Sequence, residues 1–226
     1  MKNLIPFILI LLCVFDNQKA FAQDSLKQKT KEIHLGIGPA SYSGDLGKAY
    51  AGSSLLFTAG LKFNNNKKLN GNVKISIGSV TGQELDYATT DDSGVPATPN
   101  TFFKSTFIGL NYEAQFNFIN KEKIKVYLSQ GIGLFRFDPR NEEDNRLSDL
   151  PDTRPVGESY RNIVIQLPTQ LGAKYYLPND FALGIQVGFI NPITDHLDNL
   201  AIWGNKNGND NILSFQFQIH APLSPR

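Results

Sequence analysis

The chain is predicted to be all-β: an eight-stranded antiparallel transmembrane β-barrel with short periplasmic turns and long extracellular loops. Three observations predict it. A secretory leader opens the sequence, about eight segments of alternating apolar and small or polar residues follow, and the connections between them are long and short by turns. Tight turns at one end and larger loops at the other are what a closed barrel threaded through a bilayer from one side requires.

Lys2 supplies the positive start of the leader, residues 5–15 its apolar run, and Ala20, Phe21 and Ala22 a small-residue cleavage site. Residues 1–22 therefore read as a signal peptide, with Gln23 as the first mature residue. The apolar run falls short of the ~20 residues that span a bilayer, and Leu12 stands before Cys13 where a lipidated cysteine would follow a small residue. Met1 and Cys13 are the only Met and Cys of the 226 residues. Both go with the leader, which excludes disulfides, a cysteine–zinc site and a thiol nucleophile. Lys2, Lys19 and Asp16 go too, so from 22 basic and 21 acidic side chains equal numbers remain. No basic field is left to recruit nucleic acid. Residues 23–30 are a polar periplasmic lead-in, 31–220 the barrel and 221–226 a C-terminal tail.

Each strand follows from alternation, because successive side chains of a strand point to opposite faces. In the first, residues 31–38, Ile33, Leu35 and Ile37 oppose Glu32, His34, Gly36 and Gly38. The second, 53–63, sets Leu55, Phe57, Ala59, Leu61 and Phe63 against Thr58, Gly60 and Lys62. The third, 71–80, sets Val73, Ile75 and Ile77 against Asn72, Lys74, Ser76 and Gly78. The fourth, 104–118, is the longest, with Ile108, Leu110, Tyr112, Ala114, Phe116 and Phe118 outward and Gly109, Asn111, Glu113, Gln115 and Asn117 inward.

In the fifth, 123–137, Ile124, Val126 and Leu128 lead, but Phe135 and Phe137 appear on the opposite parity. A β-bulge at Gly131-Ile132-Gly133 is expected there, since one extra residue inverts the faces. The sixth, 162–177, sets Ile163, Ile165, Leu167, Leu171, Ala173 and Tyr175 against Gln166, Pro168, Gln170, Gly172 and Lys174. Pro168 lacks an N–H and marks a local break in the ladder. The seventh, 181–189, alternates Phe181, Leu183, Ile185, Val187 and Phe189 with Ala182, Gly184, Gln186 and Gly188. The eighth, 212–220, alternates Phe215, Phe217 and Ile219 with Ser214, Gln216, Gln218 and His220, so the assembly signal is an internal aromatic unit rather than a terminal one.

Short connections at 64–68, 119–122 and 178–180 interleave with long ones at 41–51, 81–103, 138–161 and 191–211. With a periplasmic N-terminus, every short turn falls inside and every long loop outside. A water-soluble lipocalin-like barrel also has eight strands, but its apolar face lines a ligand cavity and nothing demands this loop asymmetry. Eight strands leave a lumen that side chains fill. The inward set is Gly, Ser, Asn and Gln with Lys62, Lys74, Glu113, Lys174 and His34, which predicts a plugged polar interior rather than an open pore. Tyr87, Tyr112, Tyr127, Tyr160, Tyr175, Tyr176 and Trp203 are expected at the interfaces, where amphipathic rings form girdles.

Two segments go beyond the generic pattern. In residues 33–47, IHLGIGPASYSGDLG, the first strand runs into Gly44, Asp45, Leu46 and Gly47; in residues 167–200, LPTQLGAKYYLPNDFALGIQVGFINPITDHLDNL, the seventh strand ends in Thr194, Asp195, His196, Leu197 and Asp198. Together they resemble the PorG-like family of small outer-membrane β-barrels, associated with type IX secretion and gliding. The family reads Gly-Asp-Leu in the first loop and Thr-Asp-Tyr-Leu-Asp after strand seven; His196 replaces the Tyr here, and Phe189-Ile190-Asn191-Pro192 replaces a more basic stretch. The resemblance implies a non-enzymatic component that anchors or docks a secretion or gliding complex in the outer membrane, with periplasmic or outer-membrane proteins as partners besides lipid. The two loops adjoin strands separated by one other strand, so they are expected to pack together at the outer rim with their carboxylates as structural acceptors.

Several residue clusters have a chemical and a plainly structural reading. Asp195, His196 and Asp198 with Asp91-Asp92 resemble the acid and histidine set of omptin-type surface proteases, which use general-base chemistry on water. Omptins, however, have ten strands, and loop-capping hydrogen bonds from Thr194, Asp195 and Asp198 account for these residues. An eight-stranded acyltransferase is the other enzymatic alternative, without a Ser/His/Asp set in context. Glu142-Glu143-Asp144 with Asp138, Asp149 and Asp152 lacks EF-hand spacing and reads as solvated loop charge. Gly36-x-Gly38 and Gly131-x-Gly133 precede no helix and are not dinucleotide fingerprints. No catalytic residue, cofactor, metal or small-molecule substrate is expected.

Overall fold

The computed structural model describes residues 31–63, 67–90, 94, 96–178, 180–204 and 208–223. The expected leader, the lead-in and the last three residues of the expected tail lie outside them, as do Asp91 and Asp92. The strands are β1 (Lys31–Ser43), β2 (Ser54–Phe63), β3 (Leu69–Gln83), β4 (Phe102–Asn120), β5 (Ile124–Arg140), β6 (Ile163–Gln166), β7 (Thr169–Tyr176), β8 (Ala182–Ile190) and β9 (Asn211–Pro222). Each pairs antiparallel with its neighbours. β1 pairs with both β2 and β9, and the β4–β5 pairing completes the ring.

β6 and β7 lie end to end along β5 and form a single wall strand broken at Leu167 and Pro168. The wall is therefore a closed eight-stranded antiparallel barrel. At the break the main chain still finds partners: Gly131 N donates to Pro168 O at 2.8 Å and Leu167 N to Asn191 O at 2.8 Å. β1 runs five residues past its expected end, to Ser43, and β9 runs to Pro222, into the expected tail.

Outward positions carry Leu35, Phe57, Ile75, Leu110, Leu134, Leu171, Ile185 and Phe217, all exposed. Inward positions at mid-height and near the short turns are polar and buried. This is the inverse of a water-soluble barrel and the distribution a barrel surrounded by lipid requires. Two of the buried lysines, Lys74 and Lys174, are paired with interior carboxylates. Lys174 Nζ lies 2.9 Å from Glu32 Oε1, Tyr176 OH donates to Glu32 Oε2 at 2.9 Å, and His220 Nδ1 sits 2.7 Å from the same carboxylate. Lys74 Nζ lies 2.5 Å from Glu113 Oε1, while Asn72 and Asn111 donate to Glu113 at 3.0 and 2.8 Å. Lys62 places its ammonium 4.5 Å over the Tyr127 ring.

The expected bulge in β5 is absent. Pairing with β4 runs in unbroken register through Glu113–Gly131, Tyr112–Ile132 and Asn111–Gly133; the irregularity lies instead between Asn117 and Ile119 of β4. Ile132 and Leu134 stay outward, and Phe135 and Phe137 point inward. Their parity reflects a change in what fills the lumen, not a change of face. Toward the long loops the interior becomes apolar, with Tyr42, Leu56, Phe103, Phe107, Phe135, Phe137, Leu147, Leu197, Leu200 and Ile212 in one buried cluster. Phe107 stacks on Phe135 at 5.0 Å and Tyr42 meets Phe103 edge-on at 4.7 Å.

The tyrosines expected in girdles divide between the outer wall and the interior. Tyr112 and Tyr175 are exposed on the outer wall, whereas Tyr127 and Tyr176 are buried in the polar interior and Tyr87 under the loops. The Tyr176 hydroxyl donates to Glu32 and the Tyr87 hydroxyl to the Trp203 carbonyl, while the Tyr127 ring lies under the Lys62 Nζ.

Candidate functional site at the long-loop rim

Three loops meet over the apolar cluster. β1 ends in Tyr42 and Ser43, and the chain turns through Gly44 because a Cβ there would collide with the Tyr42 hydroxyl and the Asp210 carboxylate. Asp45 and Leu46 are buried, and Gly47 adopts φ 87°, a left-handed conformation that glycine takes without steric cost. Its N–H donates to Glu84 Oε2 at 3.1 Å, linking this loop to the one after β3.

From β8 the chain passes Thr194, Asp195, His196, Leu197 and Asp198 before entering β9. Asp198 is the convergence point. Its Oδ2 accepts from Asp45 N and Leu46 N, each at 3.2 Å, and from the Tyr42 hydroxyl, while Oδ1 accepts from Leu200 N at 2.8 Å. Asp210, just before β9, lies 3.1 Å from the Tyr42 hydroxyl and accepts from Leu197 N at 2.8 Å. The two motif segments thus meet through a side chain of one and the main chain of the other. Asp45 presents its own carboxylate beside Gly204.

A second layer holds the loop after β5. Asn199, at φ 73°, accepts from Arg154 Nη1 at 2.8 Å and Tyr160 OH at 3.1 Å, and donates to Thr153 Oγ1 at 2.9 Å and Asn100 Oδ1 at 3.1 Å. Asn100 in turn donates to Asp198 O at 3.0 Å. His196 Nε2 contacts Glu158 Oε1 at 2.9 Å and its ring stacks on Tyr160 at 4.5 Å; its N–H donates to Thr194 Oγ1 at 3.1 Å.

Burial holds the Asp198 and Asp210 carboxyls above the ordinary carboxylate range, with the Asp45 charge adding to the shift of Asp198 and the Asp198 charge to that of Asp210. Asp198, with four donors, is the better seat for the negative charge, and Asp210, with fewer, for the proton. Asp195 is half-buried; its burial, with Asp45 and Glu158 nearby, pushes it up to about 6. The arrangement stores protons and accepts main-chain hydrogen bonds. It does not assemble a nucleophile with a base: the Thr194 hydroxyl is engaged by a backbone N–H and the His196 imidazole by Glu158. Among the described residues no group of three or more His, Cys, Asp or Glu is placed to hold a metal. In the acidic loop Asp144 and Asp138 pair with Arg140 at 3.0 Å.

Sequence reasoning missed Tyr42, Asp210, Asn199, Arg154 and Glu158. Tyr42 stood inside the first motif and its offset from Gly44 was a usable signal. Arg154 and Glu158 lie in a loop without periodicity, and only their tertiary placement identifies them.

No protein-family model matches the chain, and no curated protein does. Among solved structures, neisserial surface protein A superposes with a TM-score of 0.52 at 12% identity, over 84% of this chain and 96% of that one. Ail, the attachment invasion locus protein of Yersinia pestis, crystallised with the heparin analogue sucrose octasulfate, gives 0.49 at 12% identity over 87% and 99%. The N-terminal β-barrel domain of Pseudomonas aeruginosa OprF gives 0.43 at 11% identity over 86% and 100%. At these identities the likeness is one of fold.

Proposed function

We propose that this chain is an outer-membrane β-barrel, exported by a cleaved signal peptide, that serves without catalysis as an anchoring or docking component of a secretion or gliding complex. The observation that carries the membrane placement is the inverted wall, apolar outside and polar inside, closed into a ring by the β1–β9 and β4–β5 pairings. The docking role is supported by the filled lumen, which disfavours transport through the barrel, and by the PorG-like motifs at Gly44–Gly47 and Thr194–Asp198. Those motifs lie in one hydrogen-bonded rim, so their spacing follows from a shared structural task. The short turns and the N-terminal lead-in then face partners on the periplasmic side.

Deleting the chain from its host and scoring exported protein and surface motility tests this role. Loss of either, restored by the wild-type chain, is the expected result. Unchanged secretion and motility would remove the docking assignment and leave a barrel of other purpose.

A further inference from the structure

Where the apolar outer wall of β4, β5 and β6 ends, the outward face turns cationic. Cross-strand register places Leu110, Leu134 and Ile165 in one outward row, and Ile108, Arg136 and Ile163 in the next. Nearer the rim Lys104 pairs across from Arg140, and Arg161 precedes Ile163 by two residues. A cavity of about 450 Å³ opens at this boundary, lined by Asp138, Arg146, Ser148, Tyr160, Arg161 and Ile163 among others.

The acidic groups here are already engaged. Asp138 lies 3.0 Å from Arg140 and 3.5 Å from Arg146, and Asp144 lies 3.0 Å from Arg140. Lys104, Arg136 and Arg161 are exposed, and among the described residues none of them has a carboxylate within ion-pair distance. Apolar rows beneath unpaired cations repeat the cross-section of a lipid: acyl chain against Leu134, Ile163 and Ile165, anionic headgroup against the guanidinium groups. Arginine suits phosphate in particular, since its planar fork donates two parallel hydrogen bonds to a pair of oxygens.

We propose that this face binds the phosphate of a net-anionic leaflet lipid, with Arg136 and Arg161 as its phosphate ligands and the cavity beside Ile163 as its seat. The proposal rests on the membrane placement above.

Native mass spectrometry of the delipidated barrel, given phosphatidic acid or phosphatidylcholine of identical chains, tests it. The wild type is expected to retain phosphatidic acid preferentially. Arg136→Gln with Arg161→Gln should weaken that retention roughly thirtyfold, the scale of two interfacial cations. Lys48→Gln with Lys121→Gln removes the same charge elsewhere and should leave retention unchanged. Equal loss in both variants, or displacement of the lipid by equimolar glycerol 3-phosphate, would overturn the site. Reconstitution separates the two levels: insertion into phosphatidylcholine vesicles with no preference for phosphatidic acid defeats only the headgroup site, whereas failure to insert defeats the membrane placement itself.

Discussion

Tyr42 has one phenolic proton and two carboxylates in reach, Asp198 and, at 3.1 Å, Asp210. It cannot donate to both, so a second proton is needed, and Asp210 is the group with fewer other donors. This makes the rim pH-sensitive, with Asp45, Asp195, Glu158, His196 and Arg154 as the other charged or titratable groups facing the cluster. The folded-state carboxyls are raised, so the folded rim keeps a proton that the unfolded chain releases near the ordinary pKa of about 4. That stability is full below the unfolded value and is lost as pH rises through the folded values, about 6 for Asp195 and about 7 for Asp198, with Asp210 raised in the same direction. The rim should therefore loosen between about pH 4 and about pH 7. Trp203, the only tryptophan, reports on it by fluorescence, since its carbonyl accepts from Tyr87 OH at 2.8 Å. Asp210→Asn, a neutral stand-in, should flatten the profile by up to about 1.4 kcal/mol per pH unit. A variant with an equally steep profile would show that the stored proton sits elsewhere.

At the scale of the strand, β8 offers the sharpest contrast between faces. Ile185 pairs with Ala173 and Phe217 and is exposed on the outer wall; Gln186 is buried and accepts from Gln218 at 2.7 Å. An arginine facing lipid at mid-bilayer costs about 2–4 kcal/mol, whereas the lumen already hosts charge. Ile185→Arg should thus reduce heat-resistant, folded barrel on gels far more than Gln186→Lys. Equal tolerance of the two would mean that β8 does not face lipid. β5 teaches the complementary lesson. Alternation located its outward face correctly from Ile124 to Leu128, but reading Phe135 and Phe137 as lipid-facing, through a bulge at 131–133, assumed a lumen polar along its whole length. Near the rim the lumen is a hydrophobic core, and there an inward phenylalanine is the stabilising choice.

For the whole molecule, loop asymmetry sets the expected orientation. Val156→Cys, in the exposed loop after β5, should react in intact cells with a membrane-impermeant maleimide, and Lys121→Cys, in the turn before β5, should react only after lysis. The reverse pattern would invert the barrel in the membrane. Equal labelling of both sites in intact cells would point to a chain outside the bilayer. Glu32, Glu113 and four buried lysines share the interior with glutamines and asparagines, so the lumen is filled by side chains at mid-height and covered above by the loop rim.

The wall was legible in the sequence because strand periodicity is local. Ile33, Leu35 and Ile37, or Leu183, Ile185 and Val187, declare their face without reference to any other strand, and Pro168 declares its break because the missing N–H travels with the residue. Loop lengths likewise expressed the two ends of the barrel. What only the tertiary structure decided depends on pairs distant along the chain: that Asp198 takes the main chain of Asp45 and Leu46, that Arg154 and Tyr160 converge on Asn199, and that Arg136 and Arg161 stand unpaired beside Ile163. Such contacts arise where loops of irregular backbone fold back over the barrel mouth. With no repeating geometry relating one residue to the next there, the partner of a side chain is set by packing and burial rather than by spacing.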